Sequence, residues 1–423
     1  MHEQYIKNLL GIKDEHLKIR RIMQENDQMH IYMRYLPGHY VCPICGAITS
    51  KIHDYRERIV KHGMINGYFG IIHYQRRRYV CKSCGSKFPE ANGFVSPYAK
   101  ISNLTKQLIL KEATHVLSFK HIASTLNISS STVIRHIDRH IQPKRLEFPE
   151  TLSFDEFKKT NLGYGKYAFV IVDPIHKKVI DVIKNRRSDW LINYFSQIPY
   201  EERCNVKNII MDLWAPYKTI VKQYFPQARI IADGFHFLRY IYWAFNDVRV
   251  RIMKSHSTDS IPYKILKRHW RTLLKSPDKL NLNYRYHALL DDHVNDLMIH
   301  DYAANIHPDL EEAMILKDFF QTGMKTKTYE EAESFIENFI LLLDSAHTKE
   351  FREIRKTFVN WKKEIIESFD LHPLTDKKMT NGIIEGINNF IKVIKRVSYG
   401  FRNFNRFRNR IMFVFNKDYQ LIG

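Results

Sequence analysis

Two short motifs, Cys42-Pro-Ile-Cys45-Gly46 and Cys81-Lys-Ser-Cys84-Gly85, constrain this chain more than any other feature. Each sets two thiols at the spacing of a metal knuckle, and together they supply four thiolates for one tetrahedral, structural zinc ion. The glycines suit the tight turn that brings backbone amides toward the sulfurs. A redox pair or buried free thiols are the competing readings, although a redox C-x-x-C rarely comes twice with matching glycines. The long loop between the knuckles carries Arg76, Arg77 and Arg78 beside Tyr74 and Tyr79. That triplet is either an edge that contacts phosphates or a solvated basic strand. Cys204, the fifth cysteine, reads as an ordinary core or surface residue, and five cysteines in 423 residues are too few for a disulfide scaffold.

Charge narrows the partners. Lys and Arg number 66 against 45 Asp and Glu, a formal net charge of +21, which asks for a polyanion, either nucleic acid or an anionic membrane. The membrane reading weakens because no apolar run approaches the roughly 18–20 residues that a spanning helix needs. Glu3, Asp14 and Glu15 interrupt the N-terminal segment, which has no secretory apolar core. At 44% hydrophobic and 13% aromatic residues, the chain has the material for real cores and is not disordered. A soluble, intracellular, nucleic-acid-binding protein of two to four domains is the expectation.

Residues 1–37 read as a short helix and a strand-like run, Ile31–Leu36, broken by Pro37-Gly38. The cysteine-bearing segment follows within 38–95, and residues 96–145 are helical through Ser102–His115 and Ser118–His140. Within the latter, His121–His136 has the spacing of a helix-turn-helix. Ile122 and Leu126 face a core, Ala123 allows close crossing, Asn127 suits the turn, Ser129 caps the second helix, and Val133 and Ile137 bury its inner face. Ser130, Ser131, Thr132, Arg135 and Arg139 then point outward, where a recognition helix meets the major groove. A generic helical hairpin is the alternative. Past a linker bracketed by Pro143 and Pro149, residues 150–240 hold the strand-length runs Tyr167–Val172, Lys178–Ile183, Val206–Met211 and Ala228–Ala232, with a helix over Ser188–Gln197 opening on a serine cap. Residues 241–372 are charged and helical with no convincing strand, and residues 373–423 close the chain with a helix and a basic tail.

Four acids sit where catalytic acids tend to sit. Asp155 is at the apparent end of a first strand, Asp212 ends Val206–Met211, Asp233 ends Ala228–Ala232 ahead of His236, and Glu385 lies on a helix within Thr380–Asn389. Carboxylates at strand ends converge on one sheet edge, and two or three of them can hold a pair of magnesium ions for phosphoryl transfer. Singly, each acid is more often a cap or a solvated charge; their order in a basic chain is what raises them. Eight Lys and Arg and no acid follow from Gly386 to Lys417, interleaved with seven aromatics. Lys392 falls two helical turns after Glu385 and within reach of a phosphate.

Taken together, the paired C-x-x-C-G knuckles, the helix-turn-helix, Phe154-Asp155-Glu156-Phe157, Met211-Asp212 with Pro216-Tyr217, Asp233 with Phe235-His236, and Asn381 through Glu385-Gly386, Asn388, Lys392, Arg396 and Gly400-Phe401 resemble the DDE transposases of bacterial insertion sequences, ISL-three family. The resemblance covers nearly the whole chain. It implies a multidomain α+β and α/β fold: a zinc-binding module, a helix-turn-helix, and an RNase H-like mixed sheet interrupted by an all-helical insertion. The separation of 173 residues from Asp212 to Glu385 accommodates that insertion. It implies Asp155, Asp212 and Glu385 as ligands of two magnesium or manganese ions, Asp233 as a supporting residue, and His236 as a phosphate contact or a helix cap. DNA contacts would come from Arg76, Arg77, Arg78, the recognition helix, Lys392 and Arg396. Double-stranded DNA, as terminal inverted repeats and target, is the implied partner, with a homodimer or larger assembly in the bacterial cytoplasm at the nucleoid. Gly234 departs from the pattern, where a larger and often basic residue is expected. A zinc and helix-turn-helix transcription regulator without nuclease activity is the first alternative. The second is a tyrosine or serine recombinase using Tyr399 or Tyr419.

Overall fold

The computed structural model describes residues 2–159, 165–326, 328–372 and 376–416. They form two compact units, one of Met1–Lys144 with Phe390–Gly423 and the other of Arg145–Asn389.

The first unit opens with α1 (His2–Leu9), β1 (Leu17–Glu25) and β2 (Gln28–Tyr35). Then come β3 (Tyr40–Val41), β4 (Ile48–Thr49), β5 (Ile52–Ile65), β6 (Tyr68–Val80) and β7 (Lys87–Pro89). The main sheet has the order β1-β2-β6-β5, with β7 on β6, around a core that includes Leu17, Ile31, Met33, Val60, Ile72 and Tyr74. The segment between the knuckles is therefore a long antiparallel hairpin, not the expected loop. Asn66 and Gly67 make its two-residue turn at φ +49° and +88°, the left-handed pair whose twist matches that of the flanking strands.

Three helices follow: α2 (Asn103–Ala113), α3 (Phe119–Thr125) and α4 (Ser130–His140). Ser102, Ser118 and Ser129 cap them by accepting from the backbone N–H groups of Thr105, His121 and Thr132. Asn127 takes the turn at φ +51°, and Ile122, Ala123, Leu126, Val133 and Ile137 are all buried in the shared core. Phe413, from the closing helix Phe404–Phe415, fills the same core. That helix corrects the reading of the basic tail. Arg410 is 3% exposed and donates to the carbonyls of Ala113, at the end of α2, and of His115 (2.6 Å) and Leu117 (3.1 Å) in the turn that follows it. Arg406 pairs with Asp138 at 2.6 Å, and Arg408 donates to Pro143 at 3.0 Å. Three of the tail's cations thus brace the helix-turn-helix; Lys417 lies outside the described residues.

The second unit is built on β8 (Thr151–Lys158), β9 (Tyr167–Asp173), β10 (Lys178–Ile183), α5 (Ser188–Ser196), α6 (Tyr200–Cys204), β11 (Asn208–Met211), α7 (Ala215–Tyr224) and β12 (Arg229–Ala232). Its sheet runs β10-β9-β8-β11-β12; the first three strands are antiparallel, and β11 is parallel to both β8 and β12. The run Ala168–Val172 is fully buried, with Phe195, Tyr217, Val221 and Phe245 from the helices in the same core. Ser188 is the first residue of α5 rather than its cap; Arg187 holds that position without a side-chain bond.

From α8 (Gly234–Ser255) the chain is helical through α9 (Ile261–Arg268), α10 (Trp270–Leu273), α11 (Asp296–Ala304), α12 (Pro308–Gly323), α13 (Tyr329–Ser345), α14 (Lys349–Asn360) and α15 (Lys362–Glu367). One small hairpin, β13 (Arg285–His287) with β14 (Asp292–Val294), breaks the expected strand-free stretch. Three residues per strand are too few for an alternating pattern to declare itself. Last come α16 (Gly382–Val397) and α17 (Phe404–Phe415). No helix among the described residues is long and apolar enough to cross a membrane.

Candidate active site and zinc centre

The two knuckles fold alike. Gly46 and Gly85, at φ +75° and +71°, return their N–H groups to the carbonyls of Cys42 and Cys81, 3.0 Å away in each case. The Cys42 and Cys81 N–H groups bond the carbonyls of Ala47 and Ser86 at 2.9 Å. This brings all four sulfurs within 4.8 Å of one another, with Cys42 3.6 Å from Cys84 and Cys45 3.5 Å from Cys81. A zinc ion with Zn–S bonds of about 2.3 Å spaces its sulfurs about 3.8 Å apart, so the quartet fits zinc. All four thiols are free of disulfides.

Register builds the second cluster. Parallel pairing aligns Ser153 with Ile210 and Met211 with Ala232, so Asp155 and Asp212 lie at one level and Asp233 beside Asp212. Asp155 is not at the end of its strand as expected: β8 continues to Lys158, paired only with β9 past the point where β11 stops. His236, in the first turn of α8, places Nδ1 2.8 Å from Asp233 Oδ2 and 3.0 Å from Asp212 Oδ1. Burial opposes a charged imidazole there, but the two carboxylates outweigh it and raise His236 to about 9. Burial, reinforced by the charge of Asp212, pushes Asp155 up to about 7.

The start of α16 closes on the same edge. Asn381 donates its N–H to Asp233 Oδ1 at 3.1 Å and its amide to the Phe154 carbonyl at 3.4 Å. Asn388 donates to Asp155 Oδ2 at 2.6 Å. Glu385, exposed, lies one helical turn from each of them and so on their face of the helix. Asn381 Oδ1 and Asn388 Oδ1 are buried without a hydrogen-bond donor, and Asp212 Oδ1 has only the His236 Nδ1 that it shares with Asp233. Such acceptors cost about 1–3 kcal/mol each, and among crowded acids a cation is the partner that relieves them. Asp212, Asp233 and His236 by themselves present ligand atoms within 4.8 Å of one another. A side chain at Gly234 would meet its nearest neighbours at 3.7 and 3.9 Å, so that departure answers no steric demand.

The two asparagines carry a structural part that the sequence motif did not assign. Glu156 is another such residue: it accepts from Arg186 and, at 2.8 Å, from Tyr217, while Arg186 stacks 4.6 Å from the Tyr167 ring centroid and 5.6 Å from that of Trp214. Of the residues read as DNA contacts, Ser131, Arg135 and Arg139 are exposed on α4, and Ser130 and Thr132 half-exposed. Lys392 and Arg396 are exposed on α16. Arg77 is not on a surface edge. It is 2% exposed and donates to the carbonyls of Tyr35 (2.6 Å) and Leu36 (2.9 Å), because the alternation of β6 turns it inward. Its neighbours Arg76 and Arg78 are half-buried, with Arg78 paired to Asp54 at 3.2 Å. Tyr399 is 95% exposed in the turn after α16, and Tyr419 lies outside the described residues.

Three family profiles divide the chain between them. Residues 40–84 match the zinc-finger of transposase IS204/IS1001/IS1096/IS1165, residues 90–141 the helix-turn-helix domain of transposase family ISL3, and residues 152–411 the family described as Transposase. The chain is 26% identical over 389 residues to the transposase for insertion sequence element IS1001 of Bordetella parapertussis, covering 89% of this chain and 88% of that one. A shorter stretch is 31% identical to a protein of Lactococcus lactis subsp. lactis named ATP-dependent protease, over 28% of this chain and 35% of that one. With the Transposase profile spanning most of the chain and the zinc and helix-turn-helix profiles falling on the modules described above, the chain belongs to the ISL3 family of transposases.

Proposed function

We propose that this transposase binds the terminal inverted repeats of its insertion sequence through the zinc module and the helix-turn-helix, and catalyses metal-dependent strand cleavage and strand transfer at a centre formed by Asp155, Asp212 and Glu385. The observation that carries the reading is the convergence of Asp155, Asp212, Asp233 and the Glu385 face of α16 on one sheet edge, with two buried amide oxygens lacking donors. The strand order, three antiparallel strands followed by two parallel ones, supports an RNase H-like core with an insertion beginning in α8.

Two magnesium or manganese ions held by Asp155, Asp212 and Glu385 would polarise the scissile phosphate and activate the attacking water or 3′-hydroxyl. The chain's own residues prepare that site. In the metal-free site Asp212 and Asp233 favour a protonated His236, which sets the orientation of both carboxylates, while Asn388 holds the Asp155 carboxylate. Ser130, Ser131, Thr132, Arg135 and Arg139 face the ends of the element; Arg76, Arg78, Lys392 and Arg396 contribute phosphate contacts. Joining two ends in linked steps calls for two or more copies of the chain.

The test is cleavage of linear DNA carrying the element's ends, in magnesium or in EDTA, with wild type beside Glu385→Gln. Magnesium-dependent nicking at the ends that vanishes in the variant, with end binding retained, is the expected result. Specific binding without cutting under any metal would favour the regulator alternative.

A further inference from the structure

We propose that Phe235, Arg239 and Trp243, on one exposed face of α8, form a stacking track for unpaired nucleotides of the DNA strand at the candidate active site. The proposal rests on the reading above for the identity of the DNA, and on four observations for the track itself.

First, positions i, i+4 and i+8 share a helix face, and Phe235 and Trp243 are 61% and 51% exposed. Burying such rings typically gains about 1.5–3 kcal/mol each, so two of them left in water on one stripe mark a surface that something else covers. Second, the Arg239 guanidinium sits between them, 5.9 Å from the Phe235 centroid and 4.7 Å from that of Trp243. Its Nε is shielded from water and has no acceptor among the described residues. Third, Tyr240 meets Trp243 edge-on at 5.8 Å, which fixes the indole plane. Fourth, the stripe begins at the carboxylates: Phe235 lies 6.0 Å, ring to ring, from His236, which contacts Asp212 and Asp233.

Aromatic faces alternating with a cation are the chemistry of single-strand binding, where bases stack on rings and phosphates pair with the guanidinium. A base pair in duplex DNA hides both its faces in the stack, so the ring faces select unpaired nucleotides. Eight residues of helix span about 12 Å, the length of about three stacked nucleotides at 3.4 Å each. A second copy of this chain as occupant would have to bury Arg239 without a carboxylate supplied from its own side, so charge favours the polyanion.

The test uses the full-length protein and end duplexes labelled with 2-aminopurine, either blunt or carrying three unpaired nucleotides at the cleavage end. Wild type is expected to bind the frayed duplex more tightly and to quench the label. Trp243→Ala and Arg239→Ala should lose that preference by about 5- to 150-fold, the range for one stacked base, with blunt-end affinity unchanged. Trp243→Phe should keep most of it, and Trp243→Leu, which keeps apolar bulk but no ring face, should not. A preference that survives in both Trp243→Leu and Arg239→Ala overturns the proposal. So does a Trp243→Ala change confined to the oligomeric state in sedimentation, which would make the face a contact between copies. Neither outcome depends on cleavage: Glu385→Gln retains the preference, and a wild type that prefers frayed ends without cutting would sink the catalytic reading alone.

Discussion

The cysteine quartet and the carboxylate cluster are both candidate metal centres, and they are built in opposite ways. The quartet is two copies of one five-residue turn. Each copy is complete in its own backbone bonds, and the four sulfurs face one another with no ligand position left over. The carboxylate cluster contains no repeated turn. Its members come from β8, β11, β12, α8 and α16, residues 155 to 388, and meet only because three parallel strands hold one register. Asp212 keeps 24% of its side chain exposed, and the buried oxygens of Asn381 and Asn388 have no donor. A closed set of four soft ligands suits a metal that holds structure; an open set of hard oxygens suits one that meets a substrate.

The largest effect expected from this contrast is the loss of zinc. Structural zinc binds its ligands with an apparent free energy on the order of 10 kcal/mol, and that binding is folding free energy. Chelation, or Cys81→Ser, should therefore unfold residues 40–89, measured by protease sensitivity of that segment, and weaken end binding. One zinc per chain is expected by elemental analysis, and a pure protein without zinc that binds ends normally would break the comparison.

The carboxylates should behave otherwise. Asp212→Asn is expected to reduce cleavage by about 100- to 1,000-fold, the scale on which loss of preorganised charge stabilisation acts, while leaving fold and end binding intact. Asp155→Asn should go further and raise the melting temperature in EDTA, since it removes a buried charge facing Asp212. Unfolding of either variant would mean that these acids hold the structure together, as the cysteines do.

Acidity separates the centres again. Asp155, held up at about 7 against the 3.8 of a free carboxylate, contributes most to the metal-free fold at low pH, and that contribution falls as pH rises from about 4 to about 7. His236, raised to about 9 from 6.5, stabilises the fold fully below pH 6.5, and that contribution is lost as pH climbs through about 9. Manganese requires the ionised carboxylate, so its affinity should rise with pH up to about 7 and then level off. Melting curves with and without manganese from pH 5 to 8 should diverge across that window; parallel curves would remove Asp155 from the ligand set.

The same contrast decides what the sequence could reveal. Knuckles, caps and the helix-turn-helix are local: Ser129 and Asn127 do in the fold what their positions announce. The acids are legible as separate residues, with Asp155 inside β8 rather than at its end, but their meeting depends on register, which no single segment carries. The long β5–β6 hairpin has a local signal, Asn66-Gly67 between its strands, that marks a two-residue turn. Arg77 and Arg410 had none. An arginine is read from sequence as a charge, and only the fold shows it turned inward to bind carbonyls. Net charge therefore overstated the surface left for DNA. Asn381 and Asn388 stood in plain view within the family motif, yet their bonds to Asp233 and Asp155 required α16 to be docked on the sheet edge.

Asn388→Ala is the mildest and sharpest test of that docking. The side chain donates to Asp155 Oδ2 at 2.6 Å and is 7% exposed, so its loss leaves the carboxylate held at Oδ1 by the Glu156 N–H but loosened at Oδ2, without removing a charge. Groups that orient a metal ligand typically contribute 10- to 100-fold in affinity. Cleavage by Asn388→Ala should accordingly need about tenfold more manganese yet approach the wild-type rate at saturation, whereas Asp212→Asn stays inactive at any concentration. A rate that manganese cannot restore would place Asn388 in contact with the reacting DNA rather than behind Asp155, and a curve identical to wild type would detach α16 from the metal centre.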